Sequence, residues 1–331
     1  MKKSTFVLSL WLTMFGVVNV FGASRSQTMF LLPLKLYGEH LIVVQGGLGN
    51  LADRNLLVDT GAYPSAIDID VARKLKLQVK RGESRALGQN IPAGAAIISQ
   101  VEIGPVQALG LPVVVEDLSA LSAALGIRVD ALIGLDVLAR ASFQIDYSGK
   151  ELAFGPPVGL TFATPIEAER AMACVSMRIS GHLVHLLVDT GAAKTVLFKQ
   201  RVPWLASSQK AGQSFTSLSG RLVLNEVKAS DAELGGIKID ARDVFLSDGA
   251  NMAGMPFDGI MATWGAHLRK VSFDFEHDIF SWQADGVPAP GPQSPNSVIT
   301  ARAYNGGAAE SSGPQEGADS GQSVTGAGTT R

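Results

Sequence analysis

The chain has 331 residues, of which 46% are hydrophobic and 18% charged, with a formal net charge of −2. That length suffices for two ordinary domains, and the apolar content is too high for a chain disordered throughout. The balance of charge offers no basic excess for a nucleic-acid partner, and the single cysteine, Cys174, excludes an intramolecular disulfide, a CxxC redox pair and a cysteine-based zinc cluster.

The chain opens with Lys2 and Lys3, an apolar stretch over Phe6–Val20, and the small residues Gly22, Ala23 and Ser24. A basic start, a short apolar core and a small-residue cleavage site form the layout of a secretory signal peptide, expected over 1–23. An uncleaved anchor helix is the alternative, although the run is short for a span. No cysteine directly follows it, which argues against a lipoprotein anchor. Either way the remainder is expected to be exported, periplasmic or extracellular. With no other long apolar run, a polytopic membrane protein is excluded.

Short strands and turns come next. MFLLPLKL, Gly38 and HLIVVQ read as a hairpin. The stretch Leu56–Ala62, LLVDTGA, reads as a buried strand running into a glycine-containing turn. Apolar spacing near 3.6 predicts a short helix over Ile67–Leu77. A glycine-containing stretch over Leu87–Gly94, a strand in LPVVVED, a short helix in LDVLAR and a closing hairpin in FQIDYSGKELAF complete this part.

Then the pattern starts again. LLVDTGA recurs at Leu186–Ala192, an offset of 130. Ser65-Ala66-Ile67 lies opposite Thr195-Val196-Leu197, DALIGLDVL opposite DGIMATWGAHL, and FQIDYSGKELAF opposite VSFDFEHDIFSW. CVSMRI, Ser180-Gly181 and HLVHLLV read as the second copy's hairpin, Gly212–Gly220 as its glycine-containing stretch, ARDVFLSD as a strand and WGAHLRK as a short helix. Two copies are too few for a solenoid, so a duplicated pair of halves related by a pseudo-two-fold axis is expected, at 24–156 and 157–284. The fold class is mainly β with short helices. From residue 285 to 331 Gly, Pro, Ser, Ala and Thr dominate and apolar periodicity vanishes, so a disordered tail is expected there.

A carboxylate at one turn is unremarkable, but Asp59 and Asp189, one from each half, can meet at a pseudo-two-fold axis. Two carboxyls about 3 Å apart cannot both ionise, so they share a proton and their titrations split. The ionised member can then draw a proton from water while the protonated one hydrogen-bonds an amide carbonyl. Thr60 and Thr190 carry hydroxyls able to lock the two turns across the axis, and Gly61 and Gly191 let backbone approach carboxylate and substrate.

At these residues the sequence resembles the aspartic peptidases. Asp-Thr-Gly-Ala after a run of aliphatic residues is similar to their active-site signature. LIG at 132–134 resembles the hydrophobic-hydrophobic-Gly element that packs beside the catalytic loop in that family. The unit of about 130 residues looks closer to the retroviral type than to a pepsin lobe, with both halves here in one chain. The resemblance covers roughly residues 30–284. It implies a duplicated retropepsin-like fold of two β-barrel-like halves, with Asp59 and Asp189 as the catalytic pair supported by Thr60, Gly61, Thr190 and Gly191. Ala62 and Ala192 would lie at the bound substrate. Each stands where pepsin-like enzymes carry a serine able to hydrogen-bond the carboxylate, which implies a pair working at less extreme acidity. Met261-Ala262 departs from the family element that Ile133-Gly134 preserves. No clear flap signature is present; Leu87–Gly94 and Gly212–Gly220 are candidates by position.

The expected function is that of an aspartic endopeptidase acting on an extended peptide or protein, needing neither cofactor nor metal and no nucleic acid. Cleavage of the leader would leave no stable membrane span, and the pseudo-dimer within one chain would be a monomer. Two alternatives stay open: a non-catalytic envelope module that binds peptides on the same fold, and tandem halves that need a homodimer. Other motifs carry less. Gly47–Ala52 fits GxGxxA, but too few residues follow for a crossover helix, so a hairpin loop is expected. His182 and His185 are three apart on one strand and point to opposite faces. His40, His267 and His277 are scattered, and Cys174 reads as a small core residue.

Overall fold

Leu56, Leu57 and Val58 are apolar without interruption, a pattern that suits a strand covered on both faces. A computed structural model of the chain describes residues 29–284 except 87–88, 157–159, 170–171, 206–211, 218–219, 228–230, 240–243 and 249–254. The expected leader, the expected tail and the junction drawn at 156/157 lie wholly or partly outside the described residues.

The first half contributes strands β1 (Phe30–Pro33), β2 (Lys35–Tyr37), β3 (Leu41–Leu48), β4 (Leu51–Val58), β5 (Ala66–Asp68), β6 (Lys80–Ala86), β7 (Gln89–Ile103), β8 (Val106–Glu116), β9 (Ala131–Ile133), β10 (Phe143–Asp146) and β11 (Glu151–Phe154). Its helices are α1 (Ile69–Lys74), α2 (Ser119–Leu125) and α3 (Leu135–Leu138). The second half contributes β12 (Phe162–Pro165), β13 (Glu167–Glu169), β14 (Met172–Ile179), β15 (His182–Asp189), β16 (Thr195–Phe198), β17 (Gln213–Ser217), β18 (Gly220–Glu226), β19 (Ala232–Leu234), β20 (Ile237–Lys238), β21 (Val244–Ser247), β22 (Gly259–Ala262), β23 (Leu268–Asp274) and β24 (Ile279–Ala284).

The duplication is visible in the pairing. The first sheet runs β2-β3-β4-β9-β5-β8-β7-β6, and the second contains β14-β15-β22-β16-β21-β18-β17 in the same arrangement. In each, the strand that ends in Asp-Thr-Gly is central, antiparallel to the strand before it and parallel to the short apolar strand that follows much later. That central place explains the continuous aliphatic runs, since Leu56, Val58, Leu186 and Val188 are fully buried.

A third sheet, β1-β11-β10-β23-β24-β12, takes three strands from each half. Its middle pair is β10 against β23, with Phe143 opposite Phe273 and their rings 4.8 Å apart. Trp282 and Phe280 are also fully buried there, so the sheet joins the halves through aromatic core rather than through a linker alone.

Several local expectations are corrected. The hairpin at Ser180-Gly181 matches β3–β4, whose turn follows Leu48, and not the β2–β3 turn at Gly38. Ser180 and Gly181 both have positive φ, the conformation that a two-residue turn between right-twisted strands demands. The helix expected over Ile67–Leu77 is confined to Ile69–Lys74, because Ala66 and Ile67 are taken by pairing with Val114, Val115 and β9. Asp68 then caps it, accepting from the Asp70 N–H. WGAHLRK forms no helix: a turn ends at His267, which has φ +55°, and Leu268 already pairs with β24. Gly47 and Gly49 lie at the β3–β4 hairpin, as expected for a loop without a crossover helix. Cys174 is buried in β14. His182 stacks on Trp204 at 4.0 Å, while His185 bonds Glu167 at 2.8 Å. Among the described residues no helix is long and apolar enough to cross a membrane.

The join between the halves also carries charge. Asp146 and Lys270 face each other across β10 and β23, 2.7 Å apart. The equivalent carboxyl, Asp274, accepts from Ser142 at 3.0 Å and bonds His277 at 2.8 Å. Burial works against ionisation of Asp146, but the Gly149 N–H and Lys270 outweigh it and hold the carboxyl below its ordinary range. A carboxyl depressed in the folded state adds stability above its ordinary value and loses it as pH falls through the folded one. Asp146→Asn is therefore expected to lower stability by about 1 kcal/mol at neutral pH, with the difference closing below about pH 4. Thermal denaturation of both proteins against pH checks this.

Candidate active site

Asp59 follows the last residue of β4 and Asp189 is the last residue of β15, and each chain segment turns immediately after. The Gly61 N–H donates to Asp59 Oδ1 at 2.9 Å, and the Gly191 N–H to Asp189 Oδ1 at 2.7 Å. These turns place the carboxyls side by side, within one chain, close enough that each acts on the other's titration. A Cβ built on Gly61 would lie 2.5 Å from Cγ of Asp189, and one on Gly191 would lie 2.9 Å from Cγ of Asp59. No other residue type fits at either position without moving the opposing carboxyl.

The threonines cross the axis. Thr60 Oγ1 donates to the Val188 carbonyl at 2.7 Å and accepts from the Thr190 N–H at 3.1 Å. Thr190 Oγ1 donates to the Val58 carbonyl at 3.1 Å and accepts from the Thr60 N–H at 3.1 Å. Both side chains are buried, so these four bonds satisfy backbone groups that no water reaches.

Each turn is backed from below. In the first half the Asp59 N–H donates to Ile133 O, and Gly134 presses against the Ala62 carbonyl where a Cβ would collide. Ser65 donates from its N–H and its hydroxyl to Asp136, at 2.9 and 2.5 Å, and accepts from the Gly134 N–H at 2.9 Å. In the second half Met261 and Ala262 pair with Val188 and Asp189 in the register of Ile133 and Gly134. Ala262 is fully buried and donates its N–H to Thr195 Oγ1 at 3.3 Å. The close approach to the turn passes instead to Gly265, whose added Cβ would lie 2.7 Å from the Ala193 carbonyl.

Both carboxyls are held above the ordinary carboxylate range. Burial raises Asp189 first and the charge of Asp59 raises it further, to well above the ordinary carboxylate range. Asp59 is raised by burial too, but the Gly61 N–H and the Asp189 carboxyl draw it back. The two titrate as one coupled pair, and over the raised range they share a single proton. Both stay partly open to solvent, as a site acting on water requires.

Ala62 and Ala192 follow the glycines and are half-buried. The two flap candidates fall on hairpins: Leu87–Gly94 on β6–β7 and Gly212–Gly220 on β17–β18. Their tips, 87–88 and 218–219, lie outside the described residues. No local pattern in the sequence pairs Ser65 with Asp136. The only hint in the sequence was a hydroxyl residue repeated at Ser65 and Thr195.

Two family models match the chain. One described as aspartyl protease matches residues 44–137, and one described as retroviral aspartyl protease matches residues 169–248. No curated protein matches the chain significantly. The two spans take in the two Asp-Thr-Gly-Ala turns separately. With the same strand order around both turns and a third sheet shared between them, the chain belongs to the retropepsin-like aspartic proteases and carries both halves in one polypeptide.

Proposed function

We propose that the protein is an exported aspartic endopeptidase in which Asp59 and Asp189 hydrolyse a peptide bond through an activated water. What carries this reading is the juxtaposition of the two aspartates, each carboxyl lying against the glycine of the other half's turn. The export half rests on Lys2, Lys3 and the apolar stretch behind them.

The steps follow with the shared proton resting on Asp189. A water between the carboxyls gives a proton to ionised Asp59 as its oxygen bonds the peptide carbon, and Asp189 gives its proton to the carbonyl oxygen. The resulting diol collapses: the carbon–nitrogen bond breaks, the nitrogen takes the proton from Asp59, and a hydroxyl returns one to Asp189. Both carboxyls end as they began. An extended substrate would lie across the pair, held in part by main-chain hydrogen bonds. Since the cycle needs one carboxyl ionised and the other protonated, the rate is bell-shaped in pH. Burial of both carboxyls moves that bell above the most acidic range.

The test is cleavage of a mixed-peptide pool by the purified protein from about pH 3 to about pH 8, with and without a statine-type inhibitor. Cleavage with a bell-shaped profile, stopped by the inhibitor, is the expected result. A folded protein inactive throughout, yet retaining peptides, would instead identify a binding module.

A further inference from the structure

The two turns carrying the aspartates are held from below by different polar anchors. In the first half Asp136 grips Ser65. The position equivalent to Asp136 in the second half is Trp264, which has no carboxylate to offer, and the position equivalent to Leu135 is Thr263. The anchor there comes from the other half of the molecule. Tyr147, one residue beyond β10, places its hydroxyl 2.6 Å from Thr263 Oγ1, with both side chains buried. Its ring packs on Trp264 at 5.5 Å, and its N–H donates to the Arg269 carbonyl at 3.1 Å.

The arrangement occurs once. The residue one beyond β23, equivalent to Tyr147, is Phe275, which lacks a hydroxyl and packs on Phe143 and Phe273. Thr263 in turn reaches the site: its N–H lies 3.4 Å from the Asp189 carbonyl, and its own carbonyl closes the turn by accepting from Leu268 at 3.1 Å. Burial foremost pushes the titration of the Tyr147 hydroxyl up, and Asp189, when ionised, pushes it further.

We propose that Tyr147 is a positioning residue for the hydrolytic reaction, fixing through Thr263 the turn beneath Asp189 to the opposite half and so holding that carboxyl against Asp59. The inference rests on the endopeptidase reading for its kinetic consequence, but not for its structural one. The hydroxyl pair lies in a water-free interior, where losing one partner strands the other. With the anchor gone, the turn relaxes, the carboxyls part and water enters. Loss of confinement lowers the hold of Asp189 on the shared proton.

The test compares Tyr147→Phe, Thr263→Val and Thr263→Ser in the full chain. Tyr147→Phe keeps the ring that packs on Trp264 and removes only the hydroxyl. Two readouts are taken: kcat and KM on a peptide substrate, and the titration of the aspartate carboxyls by carbon-13 NMR. Tyr147→Phe and Thr263→Val are each expected to lower kcat about tenfold with KM within about twofold. In both, the upper titration of the pair should move to lower pH. Thr263→Ser, which keeps the hydroxyl, should stay near the parent protein in both readouts. Folded Tyr147→Phe and Thr263→Val proteins with unchanged kcat and unchanged titration would overturn the proposal. Should the parent protein cleave nothing, the titration alone decides: a shift upholds the anchor while the endopeptidase reading fails, and no shift overturns the anchor as well.

Discussion

Asp189→Asn is expected to lower peptide cleavage by roughly 10³-fold and at the same time to make the protein more stable at neutral pH. The first effect follows because an amide can neither hold nor return the proton that the cycle moves. The second follows from linkage. Burial and the charge of Asp59 raise Asp189 above its ordinary value. Between the ordinary and the raised value the folded protein binds more protons than the unfolded chain, so its stability falls as pH rises through that window. Asparagine does not titrate and carries no charge beside Asp59. The gain should therefore be absent near pH 4 and grow toward neutrality, reaching roughly 2–5 °C in the melting temperature. Asp59→Asn should match the loss of activity. It also removes the charge that lifts Asp189, so the remaining carboxyl should titrate closer to an ordinary one. Melting curves and cleavage assays of the three proteins across pH test both effects. An active Asp189→Asn protein would remove Asp189 from the mechanism. A melting difference constant with pH would remove the shared proton.

What the sequence could disclose was whatever is written twice or written locally. LLVDTGA is legible because seven identical residues recur, and the aliphatic run before each aspartate is set by its central place in a sheet. The threonine lock was legible for the same reason, since both copies carry the hydroxyl. Local pattern failed where pairing at a distance decided the outcome. Ile67 fits a helical period, but Ala66 and Ile67 lie between β8 and β9, and the ladder hydrogen bonds hold them extended. WGAHLRK has helical composition, yet Leu268 belongs to the strand that closes on Ala284. The Ser180-Gly181 hairpin is the counterpart of β3–β4, but two hairpins in a row look alike to a period of two, so sequence alone does not separate it from the hairpin at Gly38. Ser65 with Asp136 and Tyr147 with Thr263 were out of reach, being 71 and 116 residues apart and not repeated in kind. There the two halves have ceased to be copies, and both pairs sit beneath the turns that carry the aspartates.

Replacing Thr60 by valine is expected to cost about 2–4 kcal/mol and most of the activity, although no atom of Thr60 touches a carboxyl through the bonds described. Valine matches the shape and removes only the hydroxyl. That strands two buried backbone groups, the Val188 carbonyl and the Thr190 N–H, at about 1–3 kcal/mol each. Thr190→Val strands the other two, the Val58 carbonyl and the Thr60 N–H, at a similar cost. Counted as separate bonds, the two changes would add. They should not. The first substitution lets the turns part and admits water, which then hydrates the groups the second would strand. The double variant should therefore be more stable than the sum of the single losses predicts, by about 0.5–3 kcal/mol. Thr60→Ser keeps the hydroxyl and should retain most of both stability and activity. Denaturant melts of the four valine-cycle proteins, with cleavage rates beside them, decide the matter. Strict additivity with activity intact would mean that the hydroxyls merely fill backbone valences. Coupling, with activity lost in every protein that lacks a hydroxyl, would mean that the lock across the axis sets the distance at which two carboxyls share one proton.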